Sequence, residues 1–248
     1  MVIFSLKFFL IAFFFFSSSF AQDFSKIDKN LNELNFLKAL ELLEQLNNST
    51  PNNTNILMRL SISHHYLSEK STINREDIFN AQKSNDYIKK AYELNSEDPN
   101  VLKWYVIALG KSIEKESIRQ QIEQSKNIEQ LSLKVIELLP EDEFCYNIMG
   151  QWHYKLASLG KASRRIASFL FSEPPQGSFE QARYFLEKSL ELNPNYIGTY
   201  YWLGKTHLKL GNNEKAYNLF NKGILLDRPF KREERLFQDM NNFVKKNN

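Results

Sequence analysis

Toward the end of the chain, small and apolar residues fall at fixed helical spacing. Leu203-Gly204 is followed by Gly211 eight residues after Leu203, Ala216 five later, Phe220 four later, and Pro229 closes the stretch from Tyr200. The pattern predicts two helices that turn at Gly211 and pack face to face. Gly204 lets the second helix approach, Ala216 sits where the two touch, and Phe220 fills the space between them. Similar faces recur upstream: Ala182, Phe185, Leu186, Ser189 and Leu190, then Ile128, Leu131, Val135 and Leu138-Leu139. Before these come Ile78, Ala81, Tyr87 and Ala91, preceded by Leu57, Leu60, Ile62 and Tyr66, and first of all Ala39, Leu43 and Leu46. After Pro229, Leu236, Met240, Phe243 and Val244 stand at i, i+4, i+7 and i+8 with charges between them. Such a stripe is what a terminal cap needs, because the last helix pair would otherwise expose its apolar face.

A helix pair punctuated in this way is a tetratricopeptide-like unit. It cannot bury its apolar face alone, so neighbours must stack on it. Pro51, Pro99, Pro140, Pro194 and Pro229 mark unit ends at spacings of 48, 41, 54 and 35 residues. Only the last spacing is near the roughly 34 residues usual for this repeat, so the earlier units carry insertions. Met149-Gly150 and Leu109-Gly110 take the place of Leu203-Gly204 in the two preceding units. The longest unit, about 143–196, carries its excess near 158–176, after which Ser178 and Gln181 read as a capping box. The clearest unit covers about 197–230, and a capping helix is expected over about 230–246. The reading is all-α: a right-handed α-α superhelix of about four tetratricopeptide-like helix pairs with a C-terminal capping helix, filling 22–248.

Residues 1–21 differ in character. Lys7 precedes an apolar run from Phe8 to Phe16, and Ser19-Phe20-Ala21 supplies the small residues of a cleavage site before Gln22. This is the layout of a signal peptide, implying a periplasmic or secreted protein. Counted from Val2, the stretch also admits an uncleaved membrane anchor. The single Cys145 cannot form an internal disulfide, so the fold rests on packing. A net charge of +3 falls short of the concentrated basic surface that nucleic acid demands. No metal, nucleotide or nucleophile motif is present, and no cofactor is expected. His153 and His207 read as packing residues, Cys145 as a buried inert thiol, and adjacent His64-His65 point to different helix faces. The chain reads as a non-enzymatic scaffold.

Where the first helix of each pair lines the concave face, the Leu-Gly register places Lys111, Gln151 and Lys205 at one equivalent position. Lys115, Lys155 and Lys209 then fall four residues on, along the same helix face. This ladder would favour an acidic peptide, a chain terminus or an anionic head group. Trp104, Tyr154 and Tyr201 are close by and would grip apolar side chains. The competing reading makes the lysines the solvated face of each helix. The inserted segment carries Lys161, Arg164 and Arg165 followed by Ile166, Ala167, Phe169, Leu170 and Phe171. Two readings stand for it: contact with a lipid surface, or Ile166, Leu170 and Phe171 tucked against the stack.

From Trp104 onward the chain resembles the regulator of microtubule dynamics family. The segments that carry the resemblance are Ala108-Leu109-Gly110-Lys111, Ile118 with Ile122, and Met149-Gly150-Gln151-Trp152-His153-Tyr154. Further matches are Ala157-Ser158-Leu159, Arg165-Ile166-Ala167, Leu170-Phe171, Pro174-Pro175 and Glu191-Leu192-Asn193-Pro194-Asn195. The family usually has Arg at the place of Gln151 and Cys at that of His153. The resemblance implies a tetratricopeptide-like fold. It also implies a link to microtubules and membranes in animal members; an exported relative would not meet a microtubule, and the membrane link leaves a lipid-binding envelope protein as the alternative.

Overall fold

The computed structural model describes residues 23–70, 74–113, 116–170 and 173–247. The expected signal segment 1–21, Lys115 and Phe171 lie outside these residues. Among the described residues twelve helices follow one another: α1 Ser25–Asn32, α2 Phe36–Ser49, α3 Thr54–Lys70, α4 Asn74–Leu94, α5 Pro99–Ser112 and α6 Ile118–Leu138. The chain continues through α7 Glu143–Ala157, α8 Lys161–Leu170, α9 Phe179–Leu192, α10 Ile197–Lys209, α11 Asn213–Gly223 and α12 Lys231–Lys246. Side-chain caps set the starts of α5, α6, α7 and α9. Asp98 accepts from the backbone N–H of Asn100 and Val101 and is followed by Pro99, whose fixed φ suits a first helical turn. Asp142 caps α7 and Ser178 caps α9, while Ser117 and Gln120 form a reciprocal capping box on α6. Gly211, at φ +78°, makes the left-handed turn between α10 and α11.

The helices pair as α1/α2, α3/α4, α5/α6, α7/α9 and α10/α11, with α12 packed on the last pair. Among the described residues this is five pairs, the first opening with the short helix α1 of eight residues before the Ala39–Leu43 face. The first helices α3, α5, α7 and α10 touch one another in succession and form the inner face. Eight residues after the N-caps Asp142 and Tyr196 stand Gly150 and Gly204, each pressed against a second helix. A Cβ on Gly150 would run into Leu186, and one on Gly204 into Phe220.

The same count corrects the register of α5. Eight residues after Asp98 comes buried Val106, not Gly110. Gly110 lies one turn later, where an added Cβ would meet nothing within 4 Å. Leu109-Gly110 is therefore not the packing pair of its unit. In α3, where Asn53 accepts from the N–H groups of Asn55 and Ile56, the count reaches Ser61. Ser61 is buried and shares a 3.1 Å hydrogen bond with Ser84 of α4.

Two features depart from a plain open stack. The ring of Phe230, just before α12, stacks on Tyr66 at 5.2 Å and lies 6.4 Å from Phe36. With the Lys231–Asp77 ion pair at 3.6 Å, this ties the C-terminal segment to α2, α3 and α4 and closes the superhelix on itself. The second is α8. Only Ala167 of this helix is buried, while Ile166 and Leu170, which one of the two readings tucks against the stack, are exposed. Among the described residues no helix is long and apolar enough to cross a membrane.

Candidate functional site

The inner face holds a cleft of about 170 Å³ between α3, α5, α7 and the start of α12. Ile113, Ile128, Phe144 and Trp152 give it apolar walls, and Lys111, Asn147, Gln151, Lys155 and Arg232 bring polar and cationic groups to it. Two of these groups are held by the fold. Lys111 Nζ donates to Glu69 Oε1 at 2.5 Å and to Ser68 Oγ at 2.6 Å. Gln151 donates to Asn147 Oδ1 at 2.6 Å, and Asn147 donates to Thr199 at 2.9 Å. The Thr199 hydroxyl also shares a bond with Ser189, so a buried chain of polar groups fixes Gln151 from beneath.

With the α5 register corrected, the equivalent positions change. Thirteen residues after their N-caps stand Lys111, Lys155 and Lys209; nine residues after stand Ile107, Gln151 and Lys205. The structure brings Lys111, Gln151 and Lys155 to one cleft. Lys155 and Lys205 meet at the Trp202 ring, 6.0 and 5.4 Å from its centroid. Lys205 also lies 5.7 Å from the Tyr154 ring and 5.2 Å from that of Tyr201. Lys209 is exposed farther along. Glu69 balances the charge of Lys111, while Lys155, Lys205 and Lys209 place further ammonium groups along this face.

The aromatic residues play a different part from gripping a partner. Trp104 and Tyr154 are buried. Trp104 belongs to a continuous row in which Phe36, Tyr66, Trp104, Phe144 and Tyr196 follow at centroid steps of 5.0, 5.9, 6.2 and 6.4 Å. Tyr201 donates to Asp239 of α12 at 3.1 Å, and burial with this carboxylate pushes its phenol up to about 12. Phe144, Tyr196, His65 and Arg232 are site residues that the spacing of Leu-Gly pairs does not reveal. A second, wider hollow of about 690 Å³ lies on the other side of Phe230, lined in part by Asp28, Arg59, Lys103 and Trp104.

None of the histidines brings a metal-binding constellation together, and among the described residues no cluster of His, Cys, Asp and Glu could hold an ion. His153 stacks on Phe185 at 5.4 Å, and His207 is buried. Burial next to the Lys111 ammonium holds His65 down to about 4, so its imidazole is neutral in the cleft. Burial also lifts the Cys145 thiol to about 12 and keeps it unreactive.

Glu233 titrates in the closing contact. Its Oε2 accepts the Phe230 backbone N–H at 3.1 Å, and burial raises its carboxyl to about 6 from an ordinary 4.5. A raised carboxylate favours the folded state when protonated. The stabilisation is full below the ordinary value and is lost as pH rises through about 6. Glu233→Gln keeps an acceptor for Phe230 and removes the cost of a buried charge. Melting curves should show this variant more stable than the parent at pH 8 by about 1–2 kcal/mol, with the difference shrinking through pH 6 and vanishing below about pH 3.5.

Stacked helix pairs around an inner cleft define a tetratricopeptide-like repeat scaffold. The chain belongs to the regulator of microtubule dynamics family: the sequence model described as "Regulator of microtubule dynamics protein 1-3" matches residues 23–248. Among its relatives, regulator of microtubule dynamics protein 1 of Bos taurus is 33% identical over 72% of this chain and 56% of its own length. The Caenorhabditis elegans protein of that name is 25% identical over 83% of this chain and 90% of its own. The chain spans about half the length of the mammalian relatives it matches. A solved thermophilic TPR protein from Thermus thermophilus shares 13% identity over 75% of this chain and 80% of that one, with a TM-score of 0.48.

Proposed function

We propose that the chain is a non-enzymatic scaffold that binds an acidic segment of a protein partner along its inner face. The observation that carries this reading is the convergence of Lys155, Gln151, Lys111 and Arg232 on one cleft with apolar walls. Lys205 and Lys209 extend the positive surface beyond the cleft. A carboxylate of the partner pairs with Lys155, and the amide of Gln151, already oriented by Asn147, fixes its direction. Neighbouring apolar side chains of the partner rest on Ile113 and Phe144, which sets the register. Affinity should fall steeply between about 0.1 and 0.5 M salt, measured by titration calorimetry with a captured acidic peptide. Salt-independent binding would exclude the cationic cleft as the docking site.

The relatives' names connect them with microtubule dynamics. For this chain we favour export, because residues 1–21 combine Lys7, a nine-residue apolar run and Ser19-Phe20-Ala21. N-terminal sequencing of the mature protein should start at Gln22. A start at Met1 would exclude cleavage and leave the uncleaved anchor or the microtubule-linked role of its relatives.

A further inference from the structure

The short helix α8 is oriented the wrong way round for a soluble protein. Its polar anchor faces inward: Arg164 donates to the carbonyl of Leu156 at 2.7 Å, of Pro174 at 3.2 Å and of Pro175 at 3.1 Å. Beside this anchor only Ala167 is buried. On the opposite face, at about 100° per residue, Ala162, Ile166, Phe169 and Leu170 cluster together. Ile166 is 59% exposed, Phe169 88% and Leu170 56%. Lys161 and Arg165 flank this apolar face along one edge, and α8 contains no acidic residue. A helix at a protein surface ordinarily turns its apolar stripe to the core; here the stripe faces water and a guanidinium holds the inner side.

We propose that the outward face of α8 docks on an anionic lipid surface. The layering matches: apolar side chains enter the acyl boundary while Lys161 and Arg165 stay level with the head groups. At ten residues, about 15 Å, the helix is too short to span a bilayer and lies in its plane. Three apolar side chains on a convex ten-residue helix fall short of the roughly 800 Å² per partner that a standard protein interface buries. A fluid bilayer needs no matching shape. Because the patch is small, binding by α8 is weak and reversible, and it strengthens any other membrane contact of the chain. This assignment rests on α8 and is independent of the inner cleft.

The test places a reporter on the helix itself in the full chain. Ala162→Cys, on the exposed apolar face, is labelled with an environment-sensitive nitrobenzoxadiazole dye; buried Cys145, with its raised thiol, does not compete. On phosphatidylcholine vesicles with a third of the lipid replaced by phosphatidylserine, the emission should shift to the blue and brighten several-fold. Raising salt from about 0.1 to 0.5 M should reverse most of the change. Phe169→Glu in the labelled chain should lower vesicle partitioning of the reporter by about ten-fold or more. Since Phe169 is almost fully exposed, helical circular dichroism should be unchanged by that substitution. A label that stays in water while the chain floats with the vesicles would overturn the proposal, because another segment then does the binding. So would an equal response to pure phosphatidylcholine, or a blue shift that grows with protein concentration without vesicles, which would mark a contact between copies of the chain.

Discussion

Phe220→Ala should lower the unfolding free energy by about 3–5 kcal/mol, the range for a fully buried phenylalanine whose site cannot collapse. The ring lies against Gly204 on one side and meets the Phe243 ring edge-on at 5.1 Å on the other. It thereby joins α10, α11 and α12, together with Ile197, Tyr200, Met240 and Val244. Removing it opens a cavity at the junction of three helices. The reciprocal change, Gly204→Ala, drives a methyl group into the same ring and should cost about 1–3 kcal/mol. Equilibrium urea unfolding followed by circular dichroism reads both. A loss below about 1 kcal/mol for Phe220→Ala would mean that the last pair and its cap do not pack as described.

The second large effect concerns binding. Reversing both Lys155 and Lys209 to glutamate should weaken an acidic partner by about a hundred-fold, since each change removes an attraction and adds a repulsion. Lys155 stands exposed at the edge of the cleft beside the Trp202 ring, so its share comes from direct pairing with the partner's carboxylate. Lys209 acts outside it, through steering, so its share should appear in the association rate and disappear in high salt. Lys111→Glu is a less informative change. Its ammonium is bonded to Glu69 and Ser68, and reversing it leaves two carboxylates facing each other, which destabilises α3 against α5.

The helical repeat was legible because the last two second helices press on a glycine, and Gly150 and Gly204 keep the same distance from their N-caps. The misreading of α5 has a plain cause. Val106 and Ser61 occupy the equivalent positions, so the close approach there does not require glycine, and the Leu109-Gly110 dipeptide one turn later mimics it. The amphipathic pattern of α8 announced an apolar face but not its direction, because periodicity is the same for a face turned in or out. The aromatic row was hidden for a geometric reason. Tyr66, Trp104, Phe144 and Tyr196 stand 13, 6, 2 and 0 residues from Asn53, Asp98, Asp142 and Tyr196 itself. As the superhelix turns, the row drifts toward the helix starts and leaves no constant spacing to find. Closure by Phe230 depends on the summed rotation of all the pairs, a quantity no local window contains.

The central claim is that the inner face selects acidic segments through Lys155, Lys205 and Lys209. A display selection of random peptides against the purified chain, run beside the same selection against Lys155→Glu/Lys209→Glu, tests it most directly. The account predicts enrichment of peptides carrying aspartate, glutamate or a free C-terminal carboxylate next to an apolar residue, with that enrichment lost against the reversed chain. Enrichment of the same sequences by both chains, or of peptides without acidic groups, would contradict it.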